Sequence, residues 1–256
     1  MMKKFLIIIF IAALAVCVLY RQPELCNLNV NDNIIKLFVI NNSLYYVNGI
    51  SIGKLLNEKI IDYKVYNIDN DENDELLVLT KSENNQVYGR NLIIYETAAV
   101  KNKLEVTEIY REDFSKMKPW KIDACNLDND GHADVFIGVY KDTLFYKDYR
   151  KRPFFYSWDG ENLNKKWLGS FFTSWDLIDI TFGDYFNLGY DTAAVLEKNE
   201  NNEYRVGIYN FAGFGFENMK TSNIYNNVKS IKSVKENINE YIVLNFFYFK
   251  NNIKLN

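Results

Sequence analysis

A nine-residue acidic turn followed by an unbroken apolar run occurs more than once in this chain, and that recurrence limits the folds open to it. Asn67-Ile-Asp-Asn-Asp-Glu-Asn-Asp-Glu75 precedes Leu-Leu-Val-Leu, and Asn126-Leu-Asp-Asn-Asp-Gly-His-Ala-Asp134 precedes Val-Phe-Ile-Gly-Val. A third segment, Gly183-Asp-Tyr-Phe-Asn-Leu-Gly-Tyr-Asp191, precedes Thr-Ala-Ala-Val-Leu. Taking Asn67, Asn126 and Asp184 as starts, the copies are 59 and 58 residues apart. Fainter copies flank them at Asn27-Leu-Asn-Val-Asn-Asp32 and Glu236-Asn-Ile-Asn-Glu240. A period of this length belongs to stacked supersecondary units.

Each unit reads as about four short strands. The run after each acidic turn, such as Val135-Phe-Ile or Ala193-Ala-Val-Leu, suits a strand covered on both faces. A second strand, Phe154–Trp158, ends at Asp159-Gly160, a pair typical of a type I′ hairpin turn. Leu104–Tyr110 and Trp120–Cys125 alternate, the latter placing Trp120, Ile122 and Ala124 on one face. No segment beyond the N-terminal one has helical periodicity. The fold class expected is therefore all-β: a small β-propeller of about five four-stranded blades, after an N-terminal hydrophobic anchor helix.

That anchor is residues 1–26, read as a signal peptide or transmembrane segment plus a short linker; residues 27–256 form the repeat domain. Lys3 and Lys4 precede an apolar run from Phe5 to Tyr20, and Arg21 follows. Leu14-Ala15-Val16-Cys17 departs from a lipobox at Val16, and no small-x-small cleavage site follows. An uncleaved anchor is favoured, with the lysines inside and the body on the extracytoplasmic side of the cell membrane. A cleaved segment would instead give a secreted protein.

The acidic turns carry the chemistry. Counting Asn126 as position 1, side-chain oxygens fall at 1, 3, 5 and 9: Asn126, Asp128, Asp130 and Asp134. The carbonyl of His132 adds a backbone oxygen at position 7, and Gly131 accepts the left-handed φ that closes the loop. Hard oxygen ligands on a flexible loop suit calcium better than magnesium. The first turn keeps the set as Asn67, Asp69, Asp71 and Glu75 with the Asn73 carbonyl. Glu72 replaces the glycine there, and a left-handed Glu would cost roughly 1–2 kcal/mol. In the third turn Phe186, Leu188 and Thr192 stand at ligand positions and only the turn survives, through Gly189.

The spacing D/N-x-D-x-D-G-x-x-D/E before an apolar strand resembles FG-GAP or VCBS repeats, found in integrin α-subunit propellers and many exported bacterial proteins. The resemblance covers the two intact loops closely and residues 60–200 loosely. It implies a propeller with calcium held in the loops of its blades, and it fixes no partner.

Other chemistries are sparse. With one histidine, His132, inside an acidic turn, a Ser-His-Asp or Cys-His arrangement would need that residue twice. Three cysteines, Cys17, Cys26 and Cys125, lack zinc-site spacing, and Cys125 reads as a small buried apolar residue. A net charge of −3 leaves no footprint for nucleic acid. The aromatic-basic stretch Phe145–Pro153, taken as an insertion between the first and second strands of a blade, is the candidate recognition loop, through Tyr146, Lys147, Arg150, Lys151 and Arg152. The function expected is a calcium-binding module that recognises a protein or polysaccharide of the cell envelope. The alternative is a carbohydrate-active hydrolase or lyase using paired carboxylates in the propeller channel.

Overall fold

A computed structural model describes residues 25–252 except 32, 50, 84, 102, 237–238 and 247–249; the anchor segment lies outside the described residues. The chain forms a β-propeller arrangement of successive antiparallel sheets. The first is β1 (Cys26–Val30), β2 (Asn33–Ile40), β3 (Ser43–Asn48) and β4 (Ser51–Lys54). The second is β5 (Lys59–Tyr66), β6 (Glu75–Lys81), β7 (Asn91–Val100) and β8 (Lys103–Asp113). The third is β9 (Pro119–Cys125), β10 (Asp134–Lys141), β11 (Arg150–Trp158) and β12 (Leu163–Leu168). The fourth is β13 (Asp176–Gly183), β14 (Thr192–Lys198), β15 (Tyr204–Phe211) and β16 (Phe216–Thr221). These are blades 1–4. A further sheet holds β17 (Val228–Glu236), β18 (Asn239–Phe246) and β19 (Lys250–Asn252), so it has three described strands instead of the four expected. Among the described residues no helix is long and apolar enough to cross a membrane.

The unbroken apolar runs are the second strands of blades 2, 3 and 4, not the innermost ones. Their alternate side chains feed the cores on either side. Leu77 and Leu79 of β6 pack with Val135, Ile137 and Val139 of β10, while Leu76 and Val78 turn back towards Leu28, Leu37 and Leu44 of blade 1. Phe136 packs with Ala193 and Val195 of β14, whose Ala194 and Leu196 meet Ile231 and Ile242 of the three-stranded sheet. A strand with a sheet on each side must be apolar at every position, which is why period-2 alternation vanishes there. Each such Leu or Val contributes roughly 1.5–3 kcal/mol by leaving water.

The strand preceding each acidic turn is the first strand of the same blade, so the turn joins strands 1 and 2 within one sheet. First strands β5, β9 and β13 each carry a bulge. In β9 the extra residue is Trp120, which breaks the alternation and separates it from Ile122 and Ala124. Those two enter the core shared with blade 2, whereas Trp120 lies against the core shared with blade 4. Its indole fills the space over Gly138, where an added Cβ would come within 2.7 Å of the ring. The turn after β11 also departs from expectation. It spans Asp159–Asn162, with Gly160 alone at positive φ (96°) and the Asp159 carboxylate accepting from the amides of Glu161 and Asn162.

Candidate functional site

The three acidic turns share one backbone device. The fourth residue is an Asn in the left-handed region each time: Asn70 (φ 62°), Asn129 (54°) and Asn187 (56°). Gly131 and Gly189 are left-handed as well, at 86° and 83°. Glu72 is not, so the strain expected at that position is absent. Asn tolerates this conformation better than other non-glycine residues, which lets the blade 2 turn close without a glycine.

In the blade 2 turn, ligand-capable oxygens of Asp69, Asp71 and Glu75 lie within 4.8 Å of one another. The loop is held by its own side chains: Asp69 Oδ1 accepts from the Asp71 amide (3.1 Å), and Asp71 Oδ1 from the Asn73 amide (2.5 Å). Glu75 Oε2 accepts from the Ile68 amide at 2.9 Å. Asn67 donates to the Asp71 carbonyl (2.6 Å), and its Oδ1 is buried with no hydrogen-bond partner. The Asn73 side chain is drawn away to the Asn31 amide of blade 1 at 2.8 Å. Glu75 is 2% exposed, and burial, with Asp69 and Asp71 adding, pushes its carboxyl up to about 7. Among the described residues no lysine or arginine forms an ion pair with these three acids. An orphaned buried oxygen beside three converging carboxylates fits a hard divalent cation.

The blade 3 turn converges too, but on a different occupant. Lys166 Nζ of β12 lies 2.8 Å from Asp128 Oδ1, 3.5 Å from Asp130 Oδ2, and 2.8 and 2.9 Å from the two oxygens of Asp134. Asp134 is fully buried, and burial raises its carboxyl to about 6 even with the ammonium beside it. Asn126 Oδ1 accepts from the Asn129 amide, and His132 stands exposed with its amide donating to Asp130. In blade 4, Asp184 accepts from the amides of Leu188 (2.6 Å) and Gly189 (2.8 Å), so backbone donors satisfy the one acid left at a ligand position.

The turns also fasten blades together through residues that the ligand pattern passes over. Asp74 accepts from the Asn29 amide of blade 1 at 2.7 Å, and Asp191 from the Asn126 amide of blade 3 at 2.8 Å. Glu240 accepts from the Asp184 amide at 2.9 Å. Position 8 of the repeat, where Asp74 stands, is the readable signal for this in the first turn.

The channel between the first strands holds a cavity of about 930 Å³. Asp62, Lys121 and Asp179 occupy equivalent places just after the bulges, and Lys64 and Asp123 stand two residues further along. Lys64 meets Asp123 at 2.5 Å and Lys121 meets Asp179 at 2.6 Å, each pair crossing from blade to blade. Asp62 accepts from the Ile122 amide and Asp179 from the Ile231 amide. Burial pushes the Asp62 carboxyl up to about 6, against the opposing pull of Lys121. The period of 59 and 58 residues relates Asp62, Lys121 and Asp179, so this ring was readable from the repeat itself.

The expected recognition loop is divided by the fold. It lies between the second and third strands of blade 3, and Arg150–Pro153 belong to β11. Arg152 is wholly buried and donates to carbonyls of Lys141, Ser170 and Asp148 at 2.8 Å each. Lys151 lies 3.7 Å over the Trp120 ring and donates to the Ile178 carbonyl. Tyr146 packs edge-on against Phe171, and Arg150 pairs with Asp148. Lys147 remains exposed, beside Leu144 and Phe145.

A scan against protein-family models found no match, and a search among curated proteins found no relative. Fold and loops together define a β-propeller with oxygen-rich turns between the first two strands of its blades.

Proposed function

We propose that the protein is an exported, membrane-tethered propeller that binds calcium in its blade 2 turn and recognises a cell-envelope or protein partner. The observation carrying the calcium reading is the convergence of Asp69, Asp71 and Glu75 beside the unpartnered Asn67 Oδ1. A bound cation would supply charge neutralisation for a buried Glu75 that otherwise pays for ionisation with a raised pKa. The apolar run Phe5–Tyr20 supports export and tethering. In this reading the three-stranded sheet serves as the fifth blade, since Ser230 and Ile231 line the channel as the first strands of the other blades do.

The hydrolase or lyase alternative draws less support from the channel. Asp123, Asp179 and Glu240 are each engaged by a lysine, a hydroxyl or a backbone amide, and Asp62 accepts from the Tyr63 and Ile122 amides, so each of these channel acids already has a partner. The test of the calcium reading is thermal melting of the full chain and of Asp71→Asn, each in calcium and in chelator. A ligand that binds only the folded state must stabilise it, by ~2.7 kcal/mol at a hundredfold excess over its Kd. The wild type should melt higher in calcium and Asp71→Asn should not respond. Equal melting of the wild type in both would remove the reading.

A further inference from the structure

We propose that the Lys166 ammonium is the resident cation of the blade 3 turn, so that the loop with the fullest ligand pattern takes no divalent ion in the native protein. The lysine arrives there through a bulge. Phe155 pairs with Trp167 and Tyr156 with Lys165, which leaves Lys166 as the extra residue of β12. The same bulge recurs at the equivalent place in the neighbouring blades. Between Ile94 and Tyr95 it sets aside Ile109, and between Ile208 and Tyr209 it sets aside Met219. Ile109 and Met219 are 42% and 45% exposed, whereas the Lys166 side chain is only 11% exposed. One blade of three thus places a cationic chain at this bulge, and there the chain folds in over the acidic turn.

The geometry at Lys166 Nζ is that of a coordinated ion. Asp134 has both oxygens at nearly equal distance from it, Oδ2 accepting a hydrogen bond and Oδ1 meeting only the charge, and Asp128 adds a third oxygen at 2.8 Å. A calcium ion needs oxygens at 2.3–2.6 Å and six or more of them. It cannot share this focus with an ammonium already in contact with the same atoms; the lysine must leave first. Lys166 Nζ donates to Asp128 Oδ1 and Asp134 Oδ2, so the ammonium is anchored over the turn by two carboxylates of opposite charge. Being part of the same chain, it is held there at high effective concentration. The Asn67–Glu75 turn has the same carboxylate pattern without such a neighbour, because its bulge residue is Ile109.

The inference stands apart from the calcium reading of blade 2, and one experiment separates them. Calcium is titrated calorimetrically into the full chain, Lys166→Met, Asp71→Asn, and the double variant Lys166→Met/Asp71→Asn. Methionine keeps an apolar stem and is what blade 4 carries at this place. The expected stoichiometries are one, two, zero and one. Zero for the wild type with one for Lys166→Met supports the lysine and refutes blade 2 binding. Calcium bound by Asp71→Asn with Lys166 intact, and lost on adding Asp134→Asn, overturns the inference, as does an unchanged stoichiometry in Lys166→Met. Should Lys166→Met fold only in calcium, that rescue supports the inference, because the freed carboxylates then require an ion. Failure to fold in either medium leaves the decision to Asp71→Asn, whose melting must be the same in calcium and in chelator.

Discussion

Replacing Arg152 with methionine separates a recognition role from a structural one. The guanidinium is 0% exposed and makes three donor bonds of 2.8 Å, to the Lys141, Ser170 and Asp148 carbonyls. Weaker bonds reach the Tyr146 carbonyl (3.3 Å) and Asp148 Oδ1 (3.4 Å). Hydrogen bonds from a charged donor contribute roughly 1.5–3 kcal/mol each. Holding a buried guanidinium costs part of that, and truncating one side of a buried ionic arrangement typically destabilises by about 3–5 kcal/mol. Methionine refills most of the aliphatic volume, so the loss falls on the three carbonyls left without donors. The expected destabilisation is therefore about 3–5 kcal/mol, a large share of the roughly 5–15 kcal/mol that holds a typical domain together. Urea unfolding followed by tryptophan fluorescence measures it, with Lys147→Ala as the control. That exposed lysine should cost less than about 0.5 kcal/mol. A loss below about 1 kcal/mol in Arg152→Met would show that the buried network is not what fixes this loop. The surface available to a partner would then have to be reconsidered.

Two further outcomes follow from the turns and the channel. Gly131→Ala should cost roughly 1–2 kcal/mol in urea unfolding from left-handed strain alone, because no atom lies within 4 Å of the added Cβ; Glu72→Gly should lower stability, not raise it, since Glu72 has no positive φ to relieve. For Asp62, whose folded pKa of about 6 exceeds its ordinary 3.8, the extra stability is present below pH 4 and is lost as pH rises through about 6. The unfolding free energy of the wild type relative to Asp62→Asn should fall across that window, and a flat difference would refute the burial argument.

The propeller was legible in the sequence because its repeat is written in apolar strands. Strands covered on both faces must be apolar at every position, so Leu76–Leu79, Val135–Ile137 and Ala193–Leu196 announce their place without an alignment. The phase of each blade was less legible. A turn between strands 1 and 2 of one sheet reads much like a turn between successive sheets, and the bulge at Trp120 disguises the first strand by moving the indole off the face of Ile122 and Ala124. The candidate ligands were visible as a pattern within nine residues. Lys166 was not, since it stands 32 residues beyond Asp134 and reaches it only because β12 bulges between Lys165 and Trp167. Nothing in the local composition of Asn164-Lys165-Lys166-Trp167 distinguishes the lysine that turns inward from its exposed neighbour.

The three turns show why the oxygen pattern alone underdetermines the ion. All three need their left-handed Asn and their side-chain-to-amide bonds to connect the first two strands of a blade, and two of them carry an acid that fastens the previous blade. Those duties keep carboxylates clustered whether or not a metal is present. What then differs is how the clustered charge is balanced: by Lys166 in blade 3, by backbone amides around the single Asp184 in blade 4, and in blade 2 by backbone amides alone for three converging acids, with no cation beside them among the described residues. The balancing group lies outside the motif each time, on a strand or loop the pattern does not include. If blade 2 binds calcium as proposed, a chelator should act on blade 2 while leaving the lysine-neutralised turn of blade 3 intact.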